Sequence, residues 1–136
     1  MGKKYSEFDQ LIINKENLIF LIETENNIKF GGFVKSKIDK IGYIKDNDSF
    51  VFTFKDNKAM KFNYEKKSSF RLCDKSDSNL FLFGSDIFIN KQNTYQSKIL
   101  QNEFSSFDYR GIENALIGKT SDDCFYPKRI LVIQME

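Results

Sequence analysis

Apolar residues recur along this chain in short runs, often at alternate positions, and polar residues separate the runs. Residues 17–25 read N-L-I-F-L-I-E-T-E, with five consecutive apolar positions at the centre. Such a run predicts a strand buried on both faces. Asn26-Asn27 can supply the positive φ of a tight turn. A second run over residues 28–34 follows at once, which predicts a hairpin centred on Phe30-Gly31-Gly32-Phe33. Paired glycines weaken a strand unless a bulge or a close backbone approach needs them. The expectation here is a β-bulge that lets a neighbouring strand pack closely.

Residues 49–54 read S-F-V-F-T-F, so a period of two sets Phe50, Phe52 and Phe54 on one face. Asp56-Asn57-Lys58 makes a short turn, and residues 59–64 alternate again with Met60, Phe62 and Tyr64 on one side. Shorter strands are predicted at residues 70–73 and 80–83, with polar residues 74–78 between them. Gly84-Ser85 turns the chain into a further strand at 86–89. Residues 90–102 are polar and poorly patterned. One short helix is predicted around Ile112 to Ile117, closed by Gly118. Pro127 precedes a last strand over 129–134. This spacing predicts a mostly β (α+β) protein: an antiparallel two-sheet β-sandwich of about eight or nine strands with one or two short flanking helices. The domain is drawn over residues 17–136, with residues 1–16 as a partly irregular N-terminal extension.

Composition narrows the chemistry. The chain has 136 residues, 40% hydrophobic and 29% charged, a globular balance for one domain. Fifteen phenylalanines and no tryptophan predict a core of large flat rings. No apolar stretch approaches the roughly 18 residues of a membrane helix, and acidic residues Glu7, Asp9, Glu16, Glu23 and Glu25 break any signal-peptide layout. Histidine is absent, which removes the usual general base and commonest metal ligand. Cys73 and Cys124 cannot build a zinc site alone and read as free thiols of a cytosolic chain. Asp122 and Asp123 beside Cys124 disfavour its thiolate and hence a redox role. The formal charge is +2, and three of the 21 basic residues are arginine, which speaks against nucleic acid as a partner. The small basic cluster at residues 34–40 is interrupted by Asp39 and reads as a solvated loop or strand edge.

Several segments taken in order carry a resemblance. After the first strand come Phe30-Gly31-Gly32-Phe33 and the phenylalanine-rich residues 49–54. Then follow Leu80-Phe81-Leu82-Phe83-Gly84-Ser85-Asp86-Ile87-Phe88-Ile89, then Phe107-Asp108-Tyr109, and finally residues 125–133, F-Y-P-K-R-I-L-V-I. This succession, over residues 17–134, resembles the TLDc domain family. The sequence departs from the family pattern in the last strand, with Leu131 in place of the usual Glu and Ile133 in place of an aromatic. It also lacks segments that normally precede the family's first strand, so the chain resembles a shortened or divergent member. The resemblance implies a β-sandwich flanked by short helices. It further implies a non-catalytic module linked to resistance against oxidative stress and, in several members, to binding the vacuolar proton-pumping ATPase. It carries over no catalytic, cofactor or metal residues. The structural motif residues it points to are Phe30, Gly31, Gly32, Phe33, Phe83, Gly84, Asp86 and Tyr109.

The Phe30–Phe33 glycines lack the helix and lysine of a phosphate loop. Gly84 reads as a turn residue, with Asp86 bonding nearby backbone amides. Asp46-Asn47-Asp48 starts like a calcium loop but has Val51 at the sixth position and Asn57 at the twelfth. Met1-Gly2-Lys3-Lys4-Tyr5-Ser6 satisfies the N-myristoylation pattern, so Gly2 is a possible lipidation site and membrane association rests on its acylation. A protein-interaction module is the leading expectation, with proton-pump ATPase subunits as the partner. The alternatives are a stress-linked nucleic-acid-binding regulator and a hydrolase built on acids such as Glu23, Glu25, Asp86 and Glu103. A cytoplasmic, membrane-associated or nuclear location is compatible with these readings, and the oligomeric state is open, with edge-strand pairing as one route.

Overall fold

A computed structural model describes residues 6–91, 96–117 and 123–136. The first apolar run forms β1 (Leu18–Thr24), and the second forms β2 (Lys29–Val34). The turn between them uses Asn27 at φ 65°, with the Asn27 N–H donating to Thr24 O. The alternating phenylalanine segment becomes β4 (Phe50–Thr53), after the short β3 (Gly42–Ile44). A single 3-10 turn at Lys55–Asn57 leads into β5 (Met60–Asn63). Then follow β6 (Phe70–Leu72), β7 (Asn79–Phe83), β8 (Ile87–Asn90), β9 (Ser97–Ile99), β10 (Asp123–Phe125) and β11 (Pro127–Gln134). All pairings are antiparallel. One sheet has five strands in the order β11-β1-β2-β4-β5, and the other has six in the order β10-β9-β8-β7-β6-β3. The expected two-sheet sandwich is therefore what the chain forms.

Inward-facing residues alternate along each strand. Phe20, Gly32, Val51 and Phe62 form one inner row of the five-stranded sheet, by the register of β1, β2, β4 and β5. Facing them are Phe70, Phe81 and Phe83 of the other sheet, all fully buried. The Phe20 ring lies 4.9 Å from Phe81, 5.2 Å from Phe70 and 5.4 Å from Phe83. These tilted and edge-on contacts suit the ring quadrupoles, and each buried ring removes roughly 150–250 Å² from water. Phe30 meets Phe125 of β10 edge-on at 5.3 Å and helps close one end of the sandwich.

β1 has one buried face only: Ile19, Leu21 and Glu23 point outward and are half-buried. No bulge interrupts the glycine pair, because the registers of β1–β2 and β2–β4 are continuous there. The glycines serve close approach instead. A methyl added at Gly32 would lie 2.3 Å from the Phe83 ring, and one at Gly31 would lie 1.8 Å from the Phe20 carbonyl oxygen. No helix forms at residues 113–117, which run as consecutive turns. Asn114 takes φ 51°, and Gln101 supplies the local partners: its amide donates to Ile112 O and its carbonyl accepts from the Ala115 N–H. With those groups satisfied from outside, helical i→i−4 bonding is not needed. Gly118, expected to close that helix, lies outside the described residues.

The N-terminal segment contains α1 (Glu7–Ile12), which the apolar pattern did not signal. It starts with a capping box between Ser6 and Asp9. Phe8 stacks on Phe81 at 5.5 Å and Ile12 is buried, so this one turn and a half is tied to the core.

Candidate interaction face

The five-stranded sheet carries two cross-strand rows of outward residues. One row runs Ile133, Ile19, Phe33, Phe50; the other runs Leu131, Leu21, Gly31, Phe52. Phe33 stacks on Phe50 at 5.0 Å, and Phe52 meets Phe50 on one side and Phe54, just past β4, on the other, both edge-on. Phe54 is 47% exposed, Ile133 45% and Leu131 40%. Between the β4 phenylalanines and Ile19, Leu21 and Ile133 lies a shallow depression of about 360 Å³. Gly31 sits in register between Leu21 and Phe52 and adds no side chain to this valley. Charge is confined to its borders. Lys61 lies 4.8 Å above the Phe50 ring, and Arg129 pairs with Glu23 at 3.3 Å at one end. The outward apolar residues of four neighbouring strands thus lie side by side on this face.

The remaining motif residues meet in a buried hub at the other sheet. Gly84 takes φ 57° after β7, and a methyl there would lie 2.5 Å from the Ser106 hydroxyl. The turn delivers Asp86 into the interior, where it is fully buried. One carboxylate oxygen accepts from the Ser106 N–H at 2.8 Å and the Ser85 hydroxyl at 3.4 Å; the other accepts from the Tyr109 hydroxyl at 2.7 Å and the Phe107 N–H at 3.4 Å. Burial pushes the Asp86 carboxyl up to about 6, and its four donors act against that rise. Burial also pushes the Tyr109 hydroxyl well above its ordinary value, helped by the Asp86 charge. Asp86 does accept from backbone amides, but from those of Ser106 and Phe107 some twenty positions along the chain and not from the nearby ones expected. Sequence reading placed Asp86 and Tyr109 in one motif set but gave no sign that they touch.

The hydrolase acids are not assembled. Glu23 lies on the outer sheet face, Glu25 on the exposed β1–β2 turn, Asp86 in the core and Glu103 on an exposed loop. A polar crevice of about 350 Å³ includes Glu65, Glu103, Asp108 and Glu113, and all four are exposed. Asp46 is buried, and its carboxylate accepts the backbone N–H groups of Lys35, Ser36 and Asp48. It clamps two loops with the oxygens a calcium ion would require. Among the described residues no group of three or more His, Cys, Asp or Glu side chains could hold a metal. No described helix is long and apolar enough to cross a membrane. Gly2, Lys3, Lys4 and Asp122 lie outside the described residues.

The two thiols differ. Cys73 is buried, and desolvation, helped by Asp77, pushes its thiol up to about 11, from 9.0; Cys124 is half-buried. That rise leaves very little thiolate at Cys73 near neutral pH. Iodoacetamide at about pH 8 is expected to modify Cys124 in the folded chain and leave Cys73 untouched until denaturant is added. Mass mapping of equal early labelling at both would contradict this packing.

Two antiparallel layers, a ring-filled interior and a hub that pins the long 100–117 segment to a turn define a β-sandwich module. The chain belongs to the TLDc domain family, whose family model matches residues 1–124. The family is generally linked to the oxidative-stress response. No curated protein matches the chain.

Proposed function

We propose that this chain is a non-catalytic protein-interaction module of the oxidative-stress response that docks a partner on the outer face of its five-stranded sheet. Subunits of the vacuolar proton-pumping ATPase are the first partner to test. The observation that carries the reading is the apolar row structure of that face, with Phe54, Leu131 and Ile133 exposed beside half-buried Ile19, Leu21, Phe33, Phe50 and Phe52. Aromatic anchors on a rigid sheet are the side chains that concentrate binding energy at interfaces. The non-catalytic part of the reading is supported by Asp86, whose oxygens are engaged by donors of the fold itself.

Purified pump subunits titrated with the full chain in a calorimeter test it directly. Phe54→Asp combined with Leu131→Asp is expected to weaken binding by at least about 10-fold, the loss of roughly one anchor contact. Both side chains point away from the core, so the melting temperature should stay within a few degrees. No heat with any subunit removes the pump as partner. Unchanged affinity in the double variant moves the site off this face.

A further inference from the structure

Four strands end the two sheets, and they are not alike. β10 and β3, at the edges of the six-stranded sheet, have three residues each. β5 has four, and its outer carbonyls are already taken: the Arg110 guanidinium donates to Lys61 O at 3.2 Å and the Asp108 N–H to Asn63 O at 2.9 Å. Shortness and local capping are ordinary ways to blunt an edge. β11 has eight residues, pairs with β1 on one side, and has no strand on the other side among the described residues. The Met135 N–H donates to Asn17 O at 2.7 Å, which sets the phase of the ladder. From Arg129 onward, odd-numbered residues of β11 therefore bond to β1, and the N–H and C=O groups of Ile130, Val132 and Gln134 point away from it; before Arg129 the register with β1 shifts by one residue at Lys128.

The protective residues are concentrated at one end. Pro127, Lys128 and Arg129 open the strand, while residues 130–134 carry no charge. This asymmetry matches an antiparallel copy of itself. With Val132 on a two-fold axis, Leu131 faces the partner's Ile133, Ile130 faces the partner's Gln134, and Lys128 faces the partner's Glu136. Shifting the register to put Leu131 on the axis would set Arg129 against the partner's Ile133 and lose the ion pair. A two-fold axis perpendicular to the sheet maps each face onto itself, so the partner's Ile130 and Val132 come to the inner side of the edge. That side has a groove of about 300 Å³ between α1 and β11, lined by Phe8, Leu11, Ile12, Ile130 and Val132. Leu11, 68% exposed, stands at it.

We infer that two copies of this chain pair antiparallel along β11, joining their five-stranded sheets across Val132 and covering the groove beside α1. The pairing uses the edge of β11 and partner docking uses the sheet face; Leu131 and Ile133 lie at both, whereas Phe54 belongs to the face alone and Val132, Lys128 and Glu136 to the edge alone.

Sedimentation equilibrium of the full chain tests it. The expected species has twice the 16.0 kDa chain mass. Val132→Pro removes an N–H that faces the partner and leaves the β1 ladder intact, a place where an edge strand accepts proline. It is expected to weaken dimerisation at least about 10-fold, two intermolecular hydrogen bonds being lost by symmetry. Lys128→Glu alone and Glu136→Lys alone should each weaken the dimer, and the two together should restore it, a readout that stands even where the proline variant fails to fold. A chain that stays monomeric to about 500 µM, well above ordinary interface affinities, overturns the inference. So does a dimer indifferent to both the proline and the charge exchange, or one dissociated by Phe54→Asp instead.

Discussion

Gly31→Ala is expected to destabilise the fold by about 3–5 kcal/mol, the scale of a severe backbone or packing clash. The added methyl would lie 1.8 Å from the Phe20 carbonyl oxygen and 3.1 Å from the Phe52 ring. The carbonyl belongs to β1, which is held between β2 and β11 along most of its length. It cannot retreat without breaking ladder hydrogen bonds on one side or the other. Gly32→Ala makes a different clash, 2.3 Å from the Phe83 ring, which is fully buried among other rings. A ring can tilt where a ladder cannot, so about 1–3 kcal/mol is expected there. Thermal melts of the two variants check the order. The Gly31→Ala melting temperature should fall by about 10 °C or more and below that of Gly32→Ala. Equal, small losses would mean that the β1–β2 spacing at Gly31 accommodates a methyl group.

Asp86→Ala is expected to cost about 3 kcal/mol at neutral pH, because it strands three buried donors at once. The Ser106 and Phe107 N–H groups and the Tyr109 hydroxyl all aim at its carboxylate. Their loss should free the segment that the hub holds, giving faster amide exchange at residues 105–109 than elsewhere in the core. The pH dependence has a definite sign. The folded-state value, about 6, lies above the ordinary 3.8. The folded chain therefore binds this proton more tightly than the unfolded chain does. Stability from this group is full below about pH 4 and is lost as pH rises through about 6, a change of about 3 kcal/mol. Asp86→Asn cannot titrate and serves as the reference. The stability of the unaltered chain minus that of Asp86→Asn should decline between about pH 4 and pH 7. A difference that grows with pH would show the donors outweighing burial.

Much of the fold was legible because half-buried strands write their period into the chain. The hairpin at Asn27, the phenylalanine alternation at 50–54 and the turn at Gly84 each depend on residues next to one another. β3, β9 and β10 were not legible: each has three residues and, unlike the equally short β6 with Phe70 and Leu72, none sets two large apolar residues two positions apart within its span. α1 is equally short and is held by its cap and by Phe8 on Phe81 rather than by a long apolar stripe. The expected helix after Ile112 failed because Gln101, eleven positions earlier, answers the backbone groups a helix would use. The candidate site was half legible. Phe30 to Phe33, Gly84, Asp86 and Tyr109 stood out, yet their roles divide between a glycine-mediated close approach and a carboxylate hub.

By itself the sequence determined that this chain is an antiparallel sandwich with ring-rich layers, because side-chain alternation is a local property of extended backbone. It also determined that Phe50, Phe52 and Phe54 share a face. Only the tertiary structure decided which face that is. Alternation is symmetric about the strand, and the choice between interior and surface is made by what packs opposite: Val51 and Thr53 fit the space left by the facing sheet and are buried, and the three phenylalanines are turned outward. The same reason holds for Asp86 and Tyr109, whose contact exists because two distant segments are brought together by the closing of the sandwich.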